Sequence, residues 1–182
     1  MTIADAYLVQ TFYSGTAAVK LSVARDLHQR LGPQLAAVPP IQEGLAQLQR
    51  HALSLETHMR AMALGRLCSR CATRPGGGCC SAAMADNTDS IMLLTNLLLG
   101  VEIDRQERQT ADCCYLGDQG CLFAIKPFFC LTYNCQAILA DADGVCLTEL
   151  YQYAGAVMGQ QGRVESLLLE ALGQDHRGAA TP

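Results

Sequence analysis

Apolar residues recur at helical spacing along most of the chain, and two-residue alternation is scarce, so the expected elements are helices. Leu21, Ala24, Leu27 and Leu31 follow one helical face, and Gly32-Pro33 is expected to end that segment. After Pro39-Pro40, the residues Ile41, Leu45, Leu48, Ala52, Leu55, Met59 and Met62 step by four and three, a heptad stripe. Such a stripe predicts the seam of an antiparallel bundle or a short coiled coil, and a homodimer formed through 41–62 is one way to cover it. Gly65 is expected to close this helix. Met59 and Met62 lie on the stripe, which reads as core packing rather than metal ligation.

Residues 86–100 are apolar on nearly every face and predict a buried central helix, with Asp86, Asn87 or Asp89 near its N-cap. A last helix is expected over about 145–172, in register through Leu147, Leu150, Ala154, Val157, Val164 and Leu168. Gly155, Gly159 and Gly162 are candidate kink points within it. The fold expected is all-α, a four- to five-helix bundle with a cysteine-rich metal-binding module at one end. The reading is one helical domain over 1–172, with the module at about 66–136 and a disordered tail at 173–182.

With 182 residues, 50% of them hydrophobic, the chain can bury a core without cross-links. The N-terminal MTIADAYLVQ lacks a basic n-region and carries Asp5 where a leader would be apolar, so no secretory signal is expected. The run 91–101 is too short for a membrane helix, which needs roughly 20 apolar residues. These features predict a soluble, cytoplasmic protein whose thiols stay reduced unless metal holds them. A net charge of −4, no Trp, four Phe and six Tyr argue against a nucleic-acid partner.

The candidate chemistry is concentrated in ten cysteines lying between Cys68 and Cys146. One group is Cys68, Cys71, Cys79 and Cys80; another is Cys113, Cys114, Cys121, Cys130 and Cys135, with Cys146 apart. Cys68-x2-Cys71 lets two sulfurs approach one metal at little cost in chain entropy. Tetrahedral zinc and iron–sulfur clusters both use four thiolates, so spacing alone leaves the metal open. Arg66, Arg70, Arg74 and Lys126 are placed to offset thiolate charge, or are ordinary solvated cations. Gly76-Gly77-Gly78 either brings backbone N–H groups to sulfur or forms a plain loop. Phe123, Phe128 and Phe129 either shield a site from water or pack locally.

The order CSRCATRPGGGCC, a helix, then CCYLGDQGCLFAIKPFFCLTYNC resembles the bacterial CxxCxxCC family, a zinc- or iron-chelating domain also called the YkgJ-like cysteine cluster. Cys68, Cys71, Cys79 and Cys80 match its opening, Cys113-x2-Leu116 the next element, Gly120-Cys121 the third, and Lys126-Pro127-x2-Cys130 with Cys135 the close. The likeness spans about 66–136. It implies eight metal ligands, Cys68, Cys71, Cys79, Cys80, Cys113, Cys121, Cys130 and Cys135, with Cys114 and Cys146 as second choices. Three departures stand out: a longer step from Cys71 to Cys79, Lys126 where the family has Arg, and a step from Cys121 to Cys130 one residue short. Lys keeps the charge but loses the bidentate fork. The family domain occurs alone and attached to enzymes, including flagellin lysine methylases, so the likeness implies metal and leaves activity open.

Other chemistry is weaker. His51 and His58 are about two helical turns apart, too far to grip one ion, and read as a polar helix flank. Asp141-x-Asp143-Gly144 fails as a calcium loop, since its first and closing positions would be Leu139 and Leu150, and reads as a turn. Glu102, Asp104 and Glu107 lack the Glu-x-x-His of a di-iron centre. A disulfide relay through Cys79-Cys80 and Cys113-Cys114 runs against a reducing cytosol. The leading expectation is an iron–sulfur metalloprotein for electron transfer, cluster trafficking or redox sensing, working with a protein redox or assembly partner. The alternatives are a zinc-stapled structural or interaction protein and, third, an enzyme or enzyme subunit carrying the cluster, for which no substrate pocket is recognisable.

Overall fold

A computed structural model describes residues 10–72, 78–104 and 112–178. Among the described residues the fold is all-α, as expected, apart from one hairpin of two-residue strands. α1 spans Ala17–Ala37, α2 Pro39–Ala61, α3 Leu64–Ala72, α4 Ala82–Asp86 and α5 Ser90–Leu98. β1 (Leu116–Gly117) pairs antiparallel with β2 (Gly120–Cys121), followed by α6 (Phe128–Thr132), α7 (Gln136–Asp141) and α8 (Gly144–Gly178). No helix among the described residues is long and apolar enough to cross a membrane.

Four long or buried helices make the body. α2 packs along α8, and α1 packs on α5. The heptad stripe is consumed inside the chain: Ile41, Leu45, Leu48, Ala52 and Leu55 are all buried, and Gly44 lets α8 approach so closely that a Cβ there would lie 3.1 Å from Val164 Cγ2. The same approach lets Gln160 Nε2 donate to Gly44 O at 3.1 Å. The stripe is therefore covered by α8, and a second copy of the chain is not required to bury it.

Helix boundaries differ from expectation in three places. α1 runs through Gly32-Pro33 to Ala37, because its buried face continues to Leu35 and that burial outweighs the lost ladder bond and ring crowding at Pro33; the end comes at Val38, ahead of Pro39-Pro40. α2 ends not at Gly65 but at Met62, where Ala63 takes a left-handed φ of 55° and restarts the chain as α3. The helix expected over 86–100 is shorter, α5 at Ser90–Leu98, with α4 ending ahead of it at Asp86; its cap is Asp89, one of the three expected, whose Oδ1 accepts from Met92 N–H at 2.7 Å.

α8 is one uninterrupted helix, and it continues through 173–178, where a tail was expected; residues 179–182 lie outside the described residues. Gly155, Gly159 and Gly162 sit where an added Cβ would meet nothing within 4 Å. Replacing all three by Ala should therefore raise stability, by about 0.5–1 kcal/mol per site, read as a higher denaturant midpoint at unchanged slope.

Candidate metal centre

Three local devices bring the two cysteine groups together. The first is a close approach of bare backbones. Gly65 in α3 faces the hairpin turn so tightly that a Cβ on it would lie 2.1 Å from Gln119 O, and one on Gly120, at φ 114°, would lie 2.8 Å from Gly65 Cα. Ser69 fastens the same contact, its hydroxyl lying 3.0 Å from Gly65 O and 2.8 Å from Gly117 O. Helix α3, with Cys68 and Cys71 one turn apart, is thereby held against the strand that carries Cys121.

The second device is backbone pairing between the groups themselves. Cys113 N–H donates to Cys80 O at 3.1 Å, beside an antiparallel bridge between Ser81 and Asp112. The third is Asn96, fully buried in α5, whose Nδ2 donates to Ile125 O (2.9 Å) while its Oδ1 accepts from Ile125 N–H (3.0 Å). That clamp fixes the loop between β2 and α6, which carries Phe123 and Lys126 and leads to Cys130.

These devices place the cysteines around two cavities that share Cys68, Cys79 and Cys80. The larger, of about 100 Å³, is also lined by Cys113, Cys121 and Cys130. The smaller, of about 10 Å³, is also lined by Cys71 and Cys135. The eight first-choice cysteines thus all line one or the other. Cys114 and Cys146 line neither: Cys114 packs against the core, and Cys146 lies beside Asp143, its Sγ 3.5 Å from Oδ2. All ten are free thiols. Among the described residues no three His, Cys, Asp or Glu side chains form a group that could hold an ion, so the sulfurs ring the cavities without meeting at a point. Cys χ1 rotation between staggered wells moves sulfur while the backbone stays put, which is the adjustment a bound metal would require.

The electrostatics are those of a crowded thiol site. Hydrogen bonds from Cys80 hold the Cys79 thiol down, at about 6, and lower Cys68, while the same bonds push Cys80 up. Burial pushes Cys113 up to about 11 and Cys130 to about 12, and also raises Cys121. Lys126 opposes these rises: its buried ammonium lowers Cys68, Cys121 and Cys130, lies 3.2 Å from Phe123 O, and pairs with Glu56 at 3.5 Å. Arg66 and Arg70 are exposed, and Arg74 lies outside the described residues, as do Gly76 and Gly77. Gly78 is described, and a Cβ on it would lie 2.9 Å from Cys71 Sγ, so the chain can close over that sulfur. Phe123 is buried on the cavity wall against Tyr115, and Phe129 lines the cavity from its rim; Phe128 faces outward.

The donor chemistry fits a thiophilic metal. Buried neutral thiols are poor ligands until a cation displaces their protons, and soft sulfur donors select zinc, copper(I) or iron–sulfur clusters over hard ions. The side chains read as bystanders behave so. His58 Nε2 is 2.9 Å from Cys146 O and its Nδ1 3.6 Å from Glu149, tying α2 to α8; Asp143 caps α8 by accepting from Cys146 N–H at 2.7 Å; Asp104 pairs with Arg25 at 3.2 Å. Glu107 lies outside the described residues. Sequence reasoning missed Asn96, Ser69 and the role of Gly65, none of which carries a local motif.

The class defined by fold and site is an all-α protein with a cysteine-lined cavity. Compared with known proteins, the chain matches no family model, no curated protein and no solved structure significantly.

Proposed function

We propose that this chain is a metalloprotein of the YkgJ-like cysteine-cluster kind, holding iron as an iron–sulfur cluster through Cys68, Cys71, Cys79, Cys80, Cys113, Cys121, Cys130 and Cys135, for electron transfer, cluster trafficking or redox sensing with a protein partner. The supporting observation is the partition of the thiols: the eight that fit the family order line the paired cavities, and the other two do not. A cluster would supply one-electron chemistry there. The chain would supply the thiolates, the charge of Lys126, and water exclusion by Phe123 and Phe129, each of which tunes a cluster potential.

Zinc is the second reading, favoured by the smaller cavity, whose size is near the ~10–15 Å³ that one water-sized occupant needs. There the metal would only tie α3 to α7.

Cys121→Ser and Cys130→Ser should each lose metal, whereas Cys114→Ser and Cys146→Ser should keep it. Full metal content in the first pair would refute the ligand assignment. Loading should also release protons, because Cys113 and Cys130, at about 11 and about 12, are neutral at pH 7. Affinity should therefore rise with pH by about one decade per unit for each proton displaced; a pH-independent affinity between pH 7 and 9 would contradict it.

A further inference from the structure

The eight cavity thiols exceed what one centre can use. A tetrahedral ion and an iron–sulfur cluster each take four thiolates, so a single centre would leave half of the set without a metal. The cavities show how the set divides. Cys113, Cys121 and Cys130 line only the larger, Cys71 and Cys135 only the smaller, and Cys68, Cys79 and Cys80 line both. One of the shared three completes four thiols on the larger side, the other two complete four on the smaller, and none is left over.

Local structure supports this division. On the larger side the charge of Cys121 acts on Cys113 and Cys130, and that of Cys113 on Cys130, although the three come from the segment before β1, from β2 and from α6. On the smaller side Cys68 and Cys71 stand one turn apart on α3, a pair spaced to grip one ion; bare Gly78 leaves room for Cys71 Sγ, and Cys135 enters at the N-cap of α7. Cys79 and Cys80 join the two sides. Cys80 hydrogen-bonds with both Cys68 and Cys79, while its carbonyl accepts from Cys113 N–H at 3.1 Å. Neighbouring side chains point in different directions, so this pair can send one sulfur to each cavity. The sizes differ as well: about 10 Å³ suits a single ion held by sulfurs at about 2.3 Å, whereas about 100 Å³ admits a group of several atoms.

We infer that the protein carries two four-thiolate centres: Cys113, Cys121 and Cys130 with one of Cys79 and Cys80 in the larger cavity, and Cys68, Cys71 and Cys135 with the other of that pair in the smaller. The inference rests on the proposed function for metal at these thiols, and for the cluster as the occupant of the larger cavity; the number of centres rests on the two cavities. The smaller centre takes one thiophilic divalent ion, which fastens α3 to the start of α7 and carries no sulfide.

Cobalt(II) titration of the metal-free full chain under anaerobic conditions counts the centres without any substitution. Thiolate-to-cobalt absorption should saturate at two ions per chain, and alkylation followed by peptide mass spectrometry should find the eight cavity thiols protected and Cys114 and Cys146 modified. Saturation at one ion with four thiols protected would overturn the inference and leave metal binding intact; a chain that takes no cobalt would overturn both. Paired variants of the protein as purified then separate the centres. Cys71→Ser with Cys135→Ser should lose one ion per chain and keep the labile sulfide and visible bands. Cys113→Ser with Cys130→Ser should lose sulfide and bands and keep that ion. Loss of all metal from both pairs, with helical circular dichroism unchanged, would contradict two centres, and where a pair fails to fold the cobalt count decides. Two zinc ions per chain and no sulfide would uphold two centres while contradicting the cluster.

Discussion

Replacing Asn96 by Leu is expected to lower stability by about 3–4 kcal/mol, from two orphaned peptide groups at roughly 1–3 each. Asn96 is completely buried and presents both halves of its amide to one residue, so that Ile125 N–H and Ile125 C=O each have their partner in a single side chain. Leu nearly conserves the volume, which keeps cavity formation out of the comparison, but leaves both Ile125 groups buried without partners. Thr57→Ala is the matched control: it also removes a side-chain bond to backbone, at 2.8 Å from Leu53 O, but on an exposed face where water replaces it. Chemical denaturation of both variants should show a large shift in midpoint for Asn96→Leu and little for Thr57→Ala. Equal shifts would mean that the loop carrying Lys126 is held by something other than this clamp.

The second large effect is expected at the contact between α3 and the hairpin. Gly65→Ala would put a methyl 2.1 Å from Gln119 O, and the atom it meets is backbone, which cannot rotate away as a side chain tip can. The two elements must part, at a cost of about 2–3 kcal/mol, at the upper end for overpacking. The change should be felt at the cysteines first, because this contact sets the distance from Cys68 to Cys121. Gly65→Ala should thus speed thiol modification by a disulfide reagent at Cys68 and Cys121, while Cys146, which lines neither cavity, reacts as in the wild type. Uniform acceleration of all the thiols would indicate global unfolding instead. Gly120→Ala should be at least as damaging, since its φ of 114° adds backbone strain to the clash with Gly65.

The helical body could be read from the sequence because its signal is periodic and redundant. Ile41 to Leu55 are buried as the heptad predicts, and Leu150, Ala154, Val157, Val164 and Leu168 are buried along α8. What periodicity could not settle was whether α2 met α8 or a second copy, since both bury the same stripe; the small side at Gly44, opposite Val164, is the physical reason the chain covers itself. Local punctuation misled in the other direction. Gly32-Pro33 and Gly65 look like stops, but burial of a helix face can outweigh an interior proline and a glycine can serve a tertiary contact far away in sequence, as Gly65 does with Gly120.

The candidate centre divides along the same line. The eight thiols were singled out by the resemblance to the cysteine-cluster family, and these eight line one cavity or the other. Of the four cations expected beside the sulfurs, Lys126 is buried and its charge bears on Cys68, Cys121 and Cys130, while Arg74 lies outside the described residues. Arg66 and Arg70 project from α3 to the exposed side, a matter of helix phase that depends on which face meets the hairpin. Asn96, Ser69 and the Gly65–Gly120 contact carry no signature because each acts on a backbone group distant in sequence.

Metal held by the cavity thiols is the proposal on which the function of this protein rests. Elemental analysis of anaerobically purified protein, with acid-labile sulfide and a visible absorption spectrum on the same sample, tests it most directly. Iron with stoichiometric sulfide, and visible bands bleached by dithionite, is the predicted result. A colourless protein carrying zinc alone would contradict the cluster and leave a structural site, and a protein that holds neither metal would contradict the centre itself.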